Sequence, residues 1–184
     1  PIMKNLTLDY NKVTSMAIAG NSGSGKSYAL TYFLSLLKNI SDLIIVDPKF
    51  DTPSRWAREH GIPVLHPQKN RSKSDFVSEI NENLSICLNL IQQRQEILYD
   101  NPDHKFEHLT IVIDEVLALS EGVNKTIKDS FFSLLSQISL LGRATSIHLL
   151  LVSQRYDYNT MPVSVREQLN VLIQIGNINK KTTQ

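Results

Sequence analysis

The sequence predicts an α/β domain with a largely parallel central sheet and helices on both faces, and three observations predict it. Short runs rich in Val, Ile and Leu alternate with longer stretches of helical periodicity, the layout of strands joined by crossover helices. Two of these runs, Leu109–Ile113 and Ile147–Val152, lack the regular polar alternation of a half-exposed strand, as expected of strands buried on both faces. The first run, Met16–Gly20, leads straight into a glycine-rich loop and then an amphipathic segment. With 184 residues, 41% hydrophobic and 20% charged, the chain has the size and apolar content for one domain with one core.

In chain order, a strand near Met16–Gly20 is followed by a helical segment over Tyr28–Leu37 and a second strand near Leu43–Asp47. Trp56 is expected to anchor a short helix on the sheet, and Val64–Leu65 forms a short strand. The clearest helix runs from about Lys73 to Tyr99. Its Phe76, Ile80, Leu84, Cys87, Leu88 and Ile91 recur at three- and four-residue steps, which makes one buried stripe. Asn101-Pro102-Asp103 ends it, because proline cannot continue a helix, and Asp100–His108 reads as a polar surface loop. After the strand Leu109–Asp114, the residues Phe131, Leu134, Leu135, Ile138 and Leu141 form a second helical stripe, expected to stop at Gly142. Strands over Ile147–Ser153 and Val171–Ile175 complete the order, with no internal repeat.

Composition excludes several function classes. The net charge of +1, from 19 basic and 18 acidic residues, gives no overall attraction to nucleic acid, so any DNA contact must be local or gathered by assembly. A single cysteine, Cys87, excludes an internal disulfide framework or a cysteine zinc site. No apolar run approaches the ~18 residues of a membrane span. The start Pro-Ile-Met is no secretory leader, and the polar tail Asn177–Gln184 leads us to expect one domain over 1–184 taken from a longer parent chain. A cytoplasmic setting is expected, at the inner face of a membrane if the parent carries an anchor.

Gly20-Asn21-Ser22-Gly23-Ser24-Gly25-Lys26-Ser27 reads G-x-x-x-x-G-K-S between a strand and a helix, with Tyr28 next. Its glycines let the backbone curl so that successive N–H groups face a phosphate, and the helix adds its positive end. Lys26 is placed to reach the β- and γ-phosphates of ATP, and the Ser27 hydroxyl to ligate Mg2+. The dinucleotide fingerprint is excluded because Tyr28 occupies its third glycine position, and no G-x-S-x-G elbow of a serine hydrolase occurs.

The strand Leu109–Asp114 ends in Asp114 and Glu115. Strand C-termini of a parallel sheet face the ligand, so Asp114 is expected to hold Mg2+ and Glu115 to activate the attacking water. The other reading is two acids complementing a helix dipole. Gln154 leaves the next strand where it can sense the γ-phosphate, and Arg143 or Arg155 is a candidate for neutralising transition-state charge in this or a neighbouring subunit. For each arginine the alternative is a solvated surface residue.

Leu43-Ile-Ile-Val-Asp47-Pro48-Lys49, the pair Asp114-Glu115 and the stretch Gly142-Arg143-Ala144 to Gln154-Arg155 resemble the FtsK/SpoIIIE group of DNA-translocating ATPases. The resemblance runs from about Met16 to Asn177. It implies a RecA-like P-loop core that assembles as a hexameric ring, hydrolyses ATP and pumps double-stranded DNA. By position it makes Arg143 the finger acting on a neighbour. Asp47 and Lys49 match the group, but spacing assigns them no role. Within these residues there are no transmembrane helices and no winged-helix module of the large members, which favours a small motor of a plasmid or other mobile element, with a transfer-channel or relaxosome partner. Lys125 and Lys128 are candidate contacts to DNA phosphates, with a solvated helix start as the other reading. A sister ATPase that drives proteins, or an ATP-dependent assembly module, stands as the alternative.

Weaker signals remain. His104 and His108 are four apart but sit in a loop without the His-Glu-x-x-His order, so a surface role is expected. Tyr156-Asp-Tyr158 reads as a loop or partner surface.

Overall fold

The structure, a computed structural model, describes residues 7–21, 23, 25–154 and 161–176. Among these residues the fold is a six-stranded, all-parallel sheet, with strands β1 (Ser15–Gly20), β2 (Ser41–Val46), β3 (Val64–Leu65), β4 (His108–Ile113), β5 (Ile147–Ser153) and β6 (Leu169–Ile175). Their order across the sheet is β3-β2-β4-β5-β1-β6. The connecting helices are α1 (Lys26–Leu37), α2 (Thr52–Glu59), α3 (Lys73–Asp100), α4 (Lys125–Thr145) and α5 (Val163–Arg166).

Two apolar cores lie on opposite faces. One packs Phe76, Ile80, Leu84 and Ile91 of α3 and Phe131, Leu135 and Ile138 of α4 onto Ile111, Ile113, Leu149 and Leu151. The other packs Leu30, Phe33, Leu34 and Leu37 of α1 onto Met16, Ile18, Ile45, Val112, Leu150 and Val152. Alternate residues of one strand therefore serve opposite cores, which is why β4 and β5 show no polar alternation. The edge strand β6 is less covered and alternates half-buried with exposed positions.

The expected elements are all present, with shifted ends. Trp56 lies on α2 and packs partly buried against the α1 core, and Cys87 is buried in the stripe of α3. The long helix begins at a capping box: the Ser72 side chain accepts from the Asp75 N–H, and Asp75 reaches back to the Ser72 N–H.

One expectation is corrected. Gly142 does not stop α4, which continues to Thr145 and ends at Ser146, a residue at φ 60 whose N–H reaches the Gly142 and Arg143 carbonyls. Glycine is needed at position 142 for space: a Cβ there would lie 2.1 Å from the Ile147 carbonyl oxygen. A glycine that serves close approach and one that caps a helix look alike in sequence.

The topology decides where chemistry can occur. All strands run the same way, so the segments after β1, β2, β4 and β5 emerge at one edge of the sheet. β5 lies between β1 and β4, with Ala19 opposite Ser153 and Ile113 opposite Leu151.

Candidate functional site

Those four segments enclose an open cleft of about 350 Å³ lined by Asn21, Gly23, Gly25, Lys26, Ser27, Tyr28, Lys49, Asp51, Pro53, Asp114, Glu115 and Gln154. Gly23 and Gly25 adopt φ 79 and 85, a left-handed backbone that side-chain-bearing residues avoid. Gly25 caps α1, and its carbonyl accepts the Ala29 N–H, so α1 points its positive end into the cleft. Gly20 is the buried last residue of β1. Ser27 and Tyr28 are exposed on the first turn of α1, and Ser22 and Ser24 lie outside the described residues.

Asp114 follows β4 directly. Its N–H donates to the Val46 carbonyl at 3.0 Å, while its Oδ1 accepts the Glu115 N–H at 3.0 Å. Glu115 stands at φ 50, a strained backbone for a residue with a side chain, and the next N–H, that of Val116, bonds the Val152 carbonyl of β5 at 3.0 Å. The acidic pair is thus pinned to both neighbouring strands. No α-helix starts here, so the reading of two acids on a helix dipole does not describe this place.

The surroundings push the two carboxyls in opposite directions. Burial pushes Asp114 up to about 6, helped by the negative charges of Glu115 and Asp47 and opposed by Lys26. Burial also acts to raise Glu115, but the hydrogen bond and charge of Lys26, with those of Lys49, hold it below the ordinary glutamate range. Lys26 Nζ lies 3.0 Å from Glu115 Oε1 and Lys49 Nζ lies 3.2 Å from the same oxygen. The donor set fits a hard divalent cation: the Ser27 hydroxyl and the Asp114 carboxylate offer oxygen to one polar cleft that Lys26 also enters.

Gln154 is exposed at the end of β5 and lines the cleft between the phosphate loop and the acids. Arg143 is elsewhere. It is exposed in the last turn of α4, just before β5 begins, so the whole strand separates it from Gln154; seven residues at about 3.3 Å each make roughly 20 Å. Arg143 therefore does not reach the cleft of its own chain. Arg155 and Tyr156–Tyr158 fall outside the described residues. Lys125 and Lys128 are exposed on the first turn of α4, where Asn124 caps the helix by accepting the Thr126 N–H.

Two features were not legible beforehand. Asp47, fully buried, accepts the N–H groups of Lys49, Asp51 and Ser54 and the Ser54 hydroxyl, and so shapes the loop that brings Lys49 to Glu115. The sequence showed the Asp-Pro-Lys triplet, but only the pairing of Val46 with Ile113 places it beside the acids. At the opposite edge of the sheet, His108 Nδ1 lies 2.8 Å from His148 Nε2, and Tyr10 packs on both rings. No group of three or more His, Cys, Asp and Glu suited to a metal ion occurs among the described residues.

The sheet order, the left-handed glycines and the lysine beneath them define the class: this is a P-loop NTPase core. No protein-family model matches the chain. It is 22% identical over 183 residues to the FtsK domain-containing protein YdcQ of Bacillus subtilis, covering 96% of this chain and 37% of that protein. It is 30% identical over 162 residues to the DNA translocase FtsK of Helicobacter pylori strain J99, covering 80% of this chain and 18% of that protein. Among solved structures, the pCW3 conjugation coupling protein TcpA, in a monomer form with ATPγS, superposes with TM-score 0.73 at 22% identity over 91% of this chain and 50% of that one. EssC of Geobacillus thermodenitrificans, ATPases 2 and 3, superposes with TM-score 0.69 at 13% identity over 95% of this chain and 34% of that one. The resemblance to the FtsK/SpoIIIE group is thus shown by relatives that match most of this chain, while the chain spans well under half the length of these curated relatives. No helix among the described residues is long and apolar enough to cross a membrane.

Proposed function

We propose that this chain is the ATP-hydrolysing motor domain of a longer FtsK/SpoIIIE-type protein that moves double-stranded DNA, serving the transfer or processing of a plasmid or other mobile element. The observation that carries the reading is the meeting of Lys26, Asp114, Glu115 and Gln154 in one cleft, beside a helix N-terminus and a glycine loop shaped for phosphate. A relative named as a DNA translocase and a structural neighbour named as a conjugation coupling protein support DNA as the substrate. A cytoplasmic setting goes with this role.

Hydrolysis is an in-line displacement. The water oxygen bonds to the γ-phosphorus as the bond to the β–γ bridging oxygen breaks, and the water proton passes to Glu115. Lys26 leaves Glu115 to neutralise the β- and γ-phosphates, and Gln154 orients the water. Ser27 and Asp114 would hold Mg2+, which would supply positive charge to the phosphate oxygens.

Arg143 serves the cleft of a neighbouring copy in this reading, which its separation from its own cleft by a strand's length supports. A ring, hexameric by analogy with the group, brings that arginine to each site and places Lys125 and Lys128 as phosphate contacts. A motor that drives proteins is the rival reading, and the EssC likeness is what favours it. Displacement of a third strand from a triplex at the end of a long duplex separates the two. ATP-dependent displacement is expected; none, under conditions where ATP is turned over, would favour the rival.

A further inference from the structure

Glu115 Oε1 has two lysine partners, and the proposed chemistry leaves it only one. When ATP enters, Lys26 is drawn to the phosphates and its bond to Glu115 is lost. Lys49 stays 3.2 Å from the same oxygen, on a loop outside the phosphate loop. We infer that Lys49 is a positioning residue that keeps Glu115 aimed once Lys26 has moved to the nucleotide, with the Asp47 loop as its mount. The inference rests on reading Glu115 as the base.

Three observations support it. First, the loop is fixed from within. The buried Asp47 carboxylate gathers four donors, among them the Lys49 N–H at 3.1 Å and the Ser54 hydroxyl at 2.6 Å, so the Lys49 backbone is set independently of any ligand. Second, it is braced from outside: the next residue, Phe50, stands at φ 50 and stacks its ring 4.0 Å from that of His66. A non-glycine residue keeps such a backbone where its surroundings hold it there. Third, the pair is lopsided. The Lys49 side chain is 61% exposed and that of Glu115 only 9%, so the lysine head stays solvated while it satisfies a carboxylate that is largely out of water. An exposed ion pair on a mobile lysine contributes little. A fixed backbone at Lys49 and a buried acceptor give this one a defined geometry, and geometry is what a general base requires.

Lys49 and Glu115 also line a second hollow, of about 290 Å³, with Pro48, Arg71, Lys73 and Phe76. The ion pair therefore lies between that hollow and the nucleotide cleft.

The test compares Lys49→Ala and Lys49→Arg, with Glu115→Gln as the reference for loss of the base, in ATP affinity by calorimetry and in single-turnover hydrolysis at saturating ATP and DNA. Lys49→Ala is expected to bind ATP within about two-fold of the parent and to lower the rate by about ten- to a hundred-fold, the cost of a misplaced reacting group. Lys49→Arg recovers most of that loss. A full rate for Lys49→Ala while Glu115→Gln is inactive would overturn this inference alone. A loss explained by weaker ATP binding, or one that Lys49→Arg does not recover at all, would overturn it too. Normal turnover by Glu115→Gln would remove both the base and its positioning residue.

Discussion

At the scale of single residues, how tightly each carboxyl holds its proton follows from what surrounds it. Asp114 and Glu115 are neighbours in sequence, yet one is pushed up by burial and the other held down by two lysines. Lys26 connects this electrostatics to binding. Lys26→Ala should weaken ATP binding by about ten- to a hundred-fold, the loss of a charge-assisted hydrogen bond, as read by calorimetry; unchanged affinity would contradict its assignment. The histidine at the far edge gives a prediction about stability. Burial, and then the neighbouring His108, push His148 down to about 4. The unfolded chain, with an ordinary histidine near 6.5, binds a proton that the folded chain refuses between those two values. Stability is therefore full above pH 6.5 and falls as the pH drops toward 4, by about 2 kcal/mol at pH 5 from this one group. His148→Gln should flatten the pH dependence of the denaturation midpoint between pH 7 and 5; an unchanged slope would mean that His148 titrates normally. Neither this histidine cluster nor the Lys49 contact was readable from the sequence, because their members are far apart in the chain and meet only through strand register.

At the scale of elements, parallel strands explain why distant motifs converge. The glycine loop follows β1, Asp47 follows β2, the acidic pair follows β4 and Gln154 follows β5, and strand register alone brings them to one edge. The strands themselves were legible because Leu109–Ile113 and Ile147–Val152 have the apolar run of sequence buried on two sides. The end of α4 was not, because Gly142 resembles a stop. Its role is to let the Ile147 carbonyl pass close to the helix, and this yields a prediction opposite to helix propensity. Alanine would gain up to about 1 kcal/mol as a helix former. Its Cβ would also lie 2.1 Å from a backbone oxygen, which forces strand and helix apart. Gly142→Ala should destabilise the fold by about 1–3 kcal/mol in denaturant titration; a stabilised protein would show that the helix end yields without cost.

At the scale of the whole molecule, the cleft has every group of the proposed chemistry except the arginine. Sequence order places Arg143 between the acids and Gln154, which suggests proximity to both. In the fold it lies in the last turn of α4, at the other edge of the sheet. If a neighbour supplies it, each single variant removes one half of a shared site. Arg143→Ala subunits keep an intact Glu115, and Glu115→Gln subunits keep an intact Arg143. Mixing the two inactive proteins should restore part of the hydrolysis. No recovery in assemblies shown to contain both would place the arginine's role outside the reaction.

The central claim is that this cleft hydrolyses ATP in the service of moving duplex DNA. Its most direct test is steady-state ATP hydrolysis with and without long double-stranded DNA over a range of protein concentrations, with Glu115→Gln as the blank. The account predicts turnover that DNA stimulates, increasingly so as concentration drives assembly. Turnover indifferent to DNA at concentrations where assemblies form would contradict it.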